Sequence, residues 1–398
     1  MSEPSGTRPE IKVRVFGRTD VGQIREHNED NFLVADLSRR TRSLMETDRE
    51  QQVGEWGTLL GVCDGMGGAA AGEIASQLAV DIIYEKLLQG SPPKKRDDLA
   101  RRLVQSVEEA GMRIFNDARA DRTRRGMGTT ATIAALMDPR LFVAQVGDSR
   151  AYVLRGDRLV QVSRDQSLVN QLIEAGQLTE EEAETFEHNN IILQALGTAE
   201  TVQVDLTYVD LQRGDRLLLC SDGLSGMVRT EELREVLLTH RESLDACREL
   251  TDRANRAGGH DNITVIVAEF DGPGLPEKSN EELAYKKYAL PDYPQADMQR
   301  GTPVPADLET NEPSDEAARE SRRLKVGHTM VGIQFSLPEA AQAAAGGARA
   351  DAAGDLARYS PHDEPVSIPI DGLPPALVGF MVVAAMIVVA CAGFLLLR

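Results

Sequence analysis

Six histidines and four cysteines are all that 398 residues offer of the softer metal ligands. Cys63, Cys220, Cys247 and Cys391 stand far apart with no C-x-x-C pair, and two of the histidines, His328 and His362, fall in a stretch poor in large apolar residues. That scarcity argues against a zinc centre and against a disulfide framework, and it favours a reducing compartment. Positive charge is also short: 44 Lys and Arg stand against 63 Asp and Glu, a net of −19. Binding to a phosphate backbone needs the opposite sign, so no nucleic-acid partner is expected. No single acidic tail accounts for the imbalance, because residues 1–270 carry 45 acidic and 33 basic side chains and residues 271–375 carry 18 and 10. At the front end, Met1 to Arg18 contains no apolar run of export-signal length.

One long apolar run does exist. Ala376 to Leu397 (ALVGFMVVAAMIVVACAGFLLL) is 22 residues without a charge; at ~1.5 Å per residue it spans about 33 Å, against a hydrocarbon core of ~30 Å. It reads as one transmembrane helix, a single-pass C-terminal anchor. Residues 271–375 before it scatter Pro, Gly and Ala-rich patches through a sequence with few large apolar side chains, which cannot offset the entropy of ordering and reads as a disordered linker. Without an export signal, the domain formed by residues 1–270 is expected to stay cytoplasmic. The flank Asp363 to Gly372 is acidic and lends this orientation no support from positive charge.

Within residues 1–270 the apolar periodicity switches between two and 3.6. Strands are expected at Ile11–Arg18, Thr58–Cys63, Ala131–Met137, Leu141–Gly147, Ala151–Leu154, Arg158–Val162, Arg216–Cys220 and Ile263–Phe270. Helices are expected at Gly72–Leu88, Asp97–Ala120, Ser167–Ala175, Glu231–Leu238 and Ser243–Ala257. The turn signals Asp138-Pro139-Arg140 and Arg155-Gly156-Asp157 join strands directly, which favours antiparallel hairpins with helices outside over a doubly wound parallel sheet.

Several carboxylates share a context. Asp64, Asp148 and Asp222 end apolar runs and precede Gly or a small polar residue, Asp261 sits in Gly259-His260-Asp261-Asn262, and Arg25-Glu26-His27-Asn28-Glu29-Asp30-Asn31 follows the first strand. Singly, each is an ordinary turn or cap. Together they sit at strand ends, and the strand ends of one set of sheets lie near one another, so the carboxylates are expected to converge; like charges ~4 Å apart repel by ~1–4 kcal/mol per pair, which calls for a cation between them. Hard oxygen ligands without paired His or Cys select magnesium or manganese. Two such ions can activate a shared water and hold the oxygens of an in-line displacement, so the implied chemistry is metal-assisted phosphoester hydrolysis.

The ordered motifs Thr19-Asp20-Val21-Gly22, Arg25 to Asp30, Asp64-Gly65-Met66-Gly67-Gly68, Gly126-Met127-Gly128-Thr129-Thr130, Gly147-Asp148-Ser149-Arg150, Ser221-Asp222-Gly223-Leu224 and Gly259 to Asn262 resemble the metal-dependent protein phosphatases of type 2C, bacterial-type, over about residues 11–270. The resemblance implies an α+β fold, a four-layer α-β-β-α sandwich of two antiparallel sheets flanked by helices. It implies a protein serine/threonine phosphatase that uses two or three Mn or Mg ions and a metal-bridging hydroxide, with no covalent phosphoenzyme. By the same resemblance Asp64 bridges two metals, the carbonyl of Gly65 binds the second, Asp222 and Asp261 bind the first, and Glu29 binds through water. Asp148 with Asp222 forms a weaker third site, Asp30 orients metal waters, and Arg25 clamps the phosphoryl group, as a planar fork does better than lysine. Expected partners are phosphorylated proteins, membrane-associated Ser/Thr kinases and the membrane itself.

Two departures stand out. Met66 occupies a position where some relatives carry His and cannot donate a proton, which would leave protonation of the leaving oxygen to a metal-bound water. Phe186 to Asn190 differs from the usual flap motif, so substrate preference stays open. A different class of function, a silent phosphoprotein-binding module, would be marked by missing metal carboxylates, and Asp64, Asp222 and Asp261 are all present.

Overall fold

The computed structural model describes residues 10–291, apart from 43–48, 68–70, 184–185, 187–189 and 280–281. The expected membrane helix at 376–397, most of the expected linker and His188 of the flap therefore lie outside the described residues. Two antiparallel sheets form the centre. One orders its strands Arg158–Gln161, Arg150–Arg155, Arg216–Cys220, Ile263–Asp271, Lys12–Asp20 and Arg49–Gln52. The other runs Lys286–Lys287, Asp205–Asp210, Arg140–Val146, Ala131–Met137, Thr58–Cys63, Asn31–Asp36 and Thr41–Arg42.

The strands alternate between two apolar environments, as a period of two requires. In Thr58–Cys63, Leu60 and Val62 point into the space between the sheets while Leu59 and Cys63 face outward. In Arg216–Cys220, Leu217 and Leu219 point inward while Leu218 and Cys220 face outward. Both outer faces are therefore apolar and must be covered. Helices Ala71–Leu87 and Arg96–Ala120 cover the seven-stranded sheet, the latter through Leu99, Leu103, Val107, Ala110 and Ile114 at helical spacing. Helices Thr230–Thr239 and Ser243–Arg256 cover the six-stranded sheet through Leu233, Val236, Ala246, Leu250 and Ala254. Three apolar layers separate four layers of structure, and each fully buried Leu, Ile or Val contributes about 1.5–3 kcal/mol.

The expected strands and helices all form, with ends shifted by a residue or two. Asn31–Asp36 and Asp205–Asp210 are strands that the pattern did not reveal. Asn31–Asp36 is apolar on both faces, with Val34 between the sheets and Leu33 and Ala35 toward the helices, so it shows no alternation.

Residues past the expected boundary at 270 also pack against the sandwich. Gly274 donates its N–H to the Glu10 carbonyl at 2.8 Å, Leu275, Leu283 and Leu290 are buried, and Lys286–Lys287 pairs with Tyr208 and Thr207 at the sheet edge. Tyr288 stacks edge-on against Phe142 and Tyr208, with centroids 5.0 and 5.5 Å away, and bonds Asp97. Residues 271–291 thus strap the sheet, anchored by a few large side chains spaced too widely to register as a pattern. Replacing Tyr288 with Ala is expected to lower the unfolding free energy of the full chain by about 2 kcal/mol in urea titrations, through lost aromatic packing. An unchanged midpoint would mean that the strap adds nothing to the fold.

Candidate metal centre

Each of the singled-out carboxylates sits where a strand of the sandwich begins or ends. Asp64 follows Thr58–Cys63, Asp222 follows Arg216–Cys220, and Asp261 precedes Ile263–Asp271. Glu29 and Asp30 precede Asn31–Asp36, and Asp148 follows Arg140–Val146. Register brings them together: Asn31 pairs with Cys63, placing Asp30 beside Asp64, and Cys220 pairs with Val265, placing Asp222 near Asp261. The Asp64 and Asp222 carboxyl groups lie within hydrogen-bonding reach of each other.

A layer of small polar side chains fixes these backbones. Asp64 donates its N–H to Thr130 Oγ1 at 2.9 Å and accepts at its carbonyl from Thr129 Oγ1 at 2.8 Å. The Thr130 hydroxyl also shares a hydrogen bond with Ser149 Oγ at 2.7 Å. Ser76 donates to the Glu29 carbonyl at 2.6 Å, and Ser221 donates to Asp30 Oδ2 at 2.7 Å while accepting from the Thr264 N–H at 3.0 Å. Asn262 acts as a staple. Its side-chain N–H groups reach the Val21 and His27 carbonyls at 3.0 and 2.9 Å, and its oxygen accepts from the Glu29 N–H at 2.7 Å. That staple holds the loop carrying Arg25 against the strand that carries Asp261.

Ser221, Asn262, Thr129 and Thr130 all lie inside the sequence motifs, but nothing in the motifs themselves marks this supporting role. Ser221 and Asn262 adjoin a motif carboxylate in sequence, and Thr129 pairs across a ladder with Gly65, the neighbour of Asp64. Glycine is required at Gly65, where a Cβ would meet the carbonyl oxygens of Gly72 and Glu29 at 2.3 and 2.4 Å.

Burial and mutual repulsion govern the electrostatics. Burial first, and then the charges of Asp222 and Asp261, push Asp30 up to about 7, against hydrogen bonds to Thr264 and Ser221 that pull it down. Burial, then Asp222 and Asp165, push Asp148 up to about 7. Asp64 is held well above the usual carboxylate range by burial and by Asp30, Asp222 and Asp148, and burial raises Asp222 and Glu29 as well. Asp30 Oδ1, Asp148 Oδ1 and Asp222 Oδ1 are buried with no hydrogen-bond partner among the described residues. A buried anionic oxygen without a partner is costly. These orphans, all hard oxygens beside a backbone carbonyl, fit Mg or Mn.

Among the described residues no group of three or more His, Cys, Asp or Glu side chains is gathered tightly enough to hold an ion by itself. A ligand set of one shared carboxylate, a backbone carbonyl and water needs no such gathering. Asp261 instead accepts from Arg25 Nη2 at 2.7 Å. The expected phosphate clamp and an expected metal ligand therefore pair with each other, and Arg25 is 53% exposed on its loop. His260 is exposed beside Asp261, and Met66 is half-buried on the two-residue strand Gly65–Met66.

The raised carboxyls set a pH dependence. Each holds its proton in the folded state over a range in which the unfolded chain, with Asp near ~3.9, has already released it. Stability contributed by these groups therefore falls as pH rises from ~4 toward about 7. In chelator, the melting temperature of the full chain is expected to drop across that window, and manganese is expected to raise it more at about pH 7.5 than at about pH 5. Asp30→Asn should flatten part of the drop; a wild-type profile that is level or rising would contradict the assignment.

Comparison with known proteins agrees with this geometry. Residues 37–263 match the model of the family described as protein phosphatase 2C. The serine/threonine phosphatase stp of Listeria monocytogenes is 35% identical over 254 residues, 64% of this chain and 94% of its own length. The protein phosphatase PhpP of Streptococcus pneumoniae is 36% identical over 259 residues, 64% of this chain and 96% of its own. Among solved structures, the Mycobacterium tuberculosis serine/threonine phosphatase PstP/Ppp superposes with a TM-score of 0.56 at 35% identity, covering 65% of this chain and 99% of that one. The catalytic domain of PstP in complex with two manganese ions gives 0.55 at 34% identity, covering 66% and 99%. With more than half of its length matched to one family model and near-complete coverage of relatives above 30% identity, this chain belongs to the protein phosphatase 2C family.

Proposed function

We propose that this serine/threonine protein phosphatase hydrolyses phosphoserine and phosphothreonine in proteins at the carboxylate cup. Its manganese or magnesium would be held by Asp64, the carbonyl of Gly65, Asp222 and Asp261, by Glu29 through water, and at a third position by Asp148 with Asp222. The observation that carries the reading is the convergence of buried, partnerless carboxylate oxygens at one end of the sandwich. A phosphate dianion entering such a cup would be repelled by every group in it unless cations intervene. Bound divalent ions supply that neutralisation and lower the pKa of water enough for attack on phosphorus.

The chain's own residues do the rest. Arg25 exchanges Asp261 for phosphoryl oxygens, and the exchange is inexpensive because both partners are partly solvated. Its planar fork then fixes the phosphoryl orientation. Asp30, held by Ser221 at 2.7 Å, orients water in the cup, and the Asn262 staple keeps the loop bearing Arg25 beside the backbone of Asp261 while the side chain exchanges partners. Met66 has no proton to give, so the side chain after Asp64-Gly65 does not serve as the acid for the leaving oxygen. A phosphoprotein-binding module without turnover would dispense with some of Asp64, Asp222 and Asp261, and all three are in place.

In the same reading the uncharged run 376–397 anchors the chain in a membrane with the domain on the cytoplasmic side. That places it among phosphorylated proteins and membrane-associated Ser/Thr kinases.

Two measurements test these proposals. With manganese and a phosphothreonine peptide, Asp222→Asn is expected to lose more than about 100-fold in turnover, beyond what loss of an outer partner costs, while its circular dichroism stays that of the wild type. Undiminished turnover would sink the metal-centre assignment. In sealed vesicles with the cytoplasmic face outward, added protease should cleave the domain from its anchor, and a protected domain would overturn the orientation.

A further inference from the structure

The far end of the sandwich has the opposite electrostatic character. The strand Asn31–Asp36 starts beside Asp30 in the cup and runs ~20 Å to a hairpin carrying Arg39, Arg40 and Arg42. Arg39 lies 3.8 Å from Asp36 and Arg42 pairs with Asp81. Arg40 does neither: its guanidinium carbon sits 5.7 Å from the ring centre of Trp56, and that of Arg102, from the second helix, sits 6.0 Å from the same ring. Arg102 also donates to the Gln89 carbonyl at 3.2 Å. Stacking on an aromatic face fixes two guanidinium groups without neutralising them. Lys94 and Lys95, both exposed, immediately precede the same helix; their backbone N–H groups donate to Asp98, and their ammonium groups make no ion pair with it. Among the described residues no carboxylate lies within ion-pair distance of the side chains of Arg40, Lys94, Lys95, Arg96, Arg101 or Arg102. In a chain of net −19 this concentration of unneutralised cations is out of keeping with the rest of the surface.

The described residues end beside this patch. Arg101 Nη2 donates to the carbonyl of Pro291 at 3.1 Å, and Tyr288 bonds Asp97 on the first turn of the same helix. Residues 292–320, which follow, carry eight acidic side chains and two basic ones. Their exit point keeps them at an effective concentration of order millimolar with no separate encounter to make. We propose that the Trp56-centred cationic patch is a docking site for the acidic segment 292–320 of this same chain. Its carboxylates are taken up by Arg40, Arg102, Lys94 and Lys95, on the end of the sandwich away from the carboxylate cup. The docked segment continues the path of the strap, so the tail leaves the domain in a set direction.

Trp56 is the only tryptophan in the sequence and reports on the patch directly. The full chain is to be treated with a zero-length carbodiimide, which joins lysine amines to nearby carboxylates, and the monomer mapped by mass spectrometry at low salt and in 0.5 M NaCl, where charges separated by more than about 4–5 Å are screened. Expected are links from Lys94 or Lys95 to Asp307, Glu309, Glu312, Asp315 or Glu316, falling at least about fivefold at high salt. Trp56 emission should change over the same salt range. Replacing those five acids with their amides should remove both the links and the salt-dependent emission, and Arg40→Gln with Arg102→Gln should reduce the links while leaving phosphatase turnover unchanged. Lysine links confined to Asp97 and Asp98, links only between copies, or Trp56 emission unaltered by neutralising the tail would each overturn the proposal. So would a shift of Trp56 on adding phosphatidylglycerol vesicles to a chain whose tail gives no links, which would assign the patch to a membrane surface.

Discussion

Mutual repulsion among Asp30, Asp64, Asp148, Asp222 and Asp261 is the constraint around which one end of this molecule is built. Like charges ~4 Å apart repel by ~1–4 kcal/mol per pair, and burial first, then the neighbouring carboxylates, pushes Asp30, Asp64 and Asp148 toward protonation. A loop-built site would relax by moving apart. Here the carboxylates ride on strand ends whose positions are set by antiparallel ladders, with Asn31 against Cys63 and Cys220 against Val265. Those ladders are clamped by apolar layers on both faces of each sheet. The core thus holds in place a charge arrangement that would otherwise spread, and a cation supplies the missing term. Such preorganisation is what metal-assisted hydrolysis requires, because it spares the reorganisation of the site at the moment of reaction.

Much of this was legible in the sequence. Apolar runs such as Thr58–Cys63 and Arg216–Cys220 lead into Asp followed by Gly or a small polar residue, which picks out Asp64, Asp148 and Asp222, while the turn signals Asp138-Pro139-Arg140 and Arg155-Gly156-Asp157 account for the hairpin-rich topology. The polar layer beneath was less legible. Ser221, Asn262, Thr129 and Thr130 act through single hydrogen bonds to residues distant in sequence, such as the 2.7 Å bond from Ser221 to Asp30, 191 positions away. A hydroxyl next to an aspartate carries no periodic signature, and only the ladder register shows which carboxylate it serves. The strap at 271–291 was missed for a related reason. Its hold depends on Leu275, Leu283, Tyr288 and Leu290 filling separate niches, and isolated anchors among Pro, Gly and charged residues have the composition of a linker.

Under the proposed assignment, the pairing of Arg25 with Asp261 would link phosphate binding to the metal centre. A guanidinium that bonds a carboxylate at 2.7 Å in a half-exposed setting both occupies that ligand and is itself withheld from phosphate. If Asp261 holds metal and Arg25 phosphate as proposed, releasing one frees the other, so occupancy of the centre and readiness of the clamp would be thermodynamically tied, and by linkage the tie would be reciprocal. Asn262 makes the tie geometric as well, because it holds Val21 and His27 on either side of Arg25 while its own backbone follows Asp261. A change that loosened this staple would let Arg25 follow the carboxylate or the substrate independently, and the two events would uncouple.

The sandwich also separates two fields of opposite sign. One end of Asn31–Asp36 adjoins the acidic cup and the other the arginine-rich hairpin on Trp56, ~20 Å apart, which exceeds the ~8 Å screening length at physiological salt. An acidic tail held at the cationic end is therefore kept from the end where cations and phosphate must bind. Left free, the same tail would sweep a volume that includes the cup, where its carboxylates would compete for divalent ions. With the tail docked as proposed, physical separation of the two charged ends would keep the chain's own acidic segment out of its own metal centre.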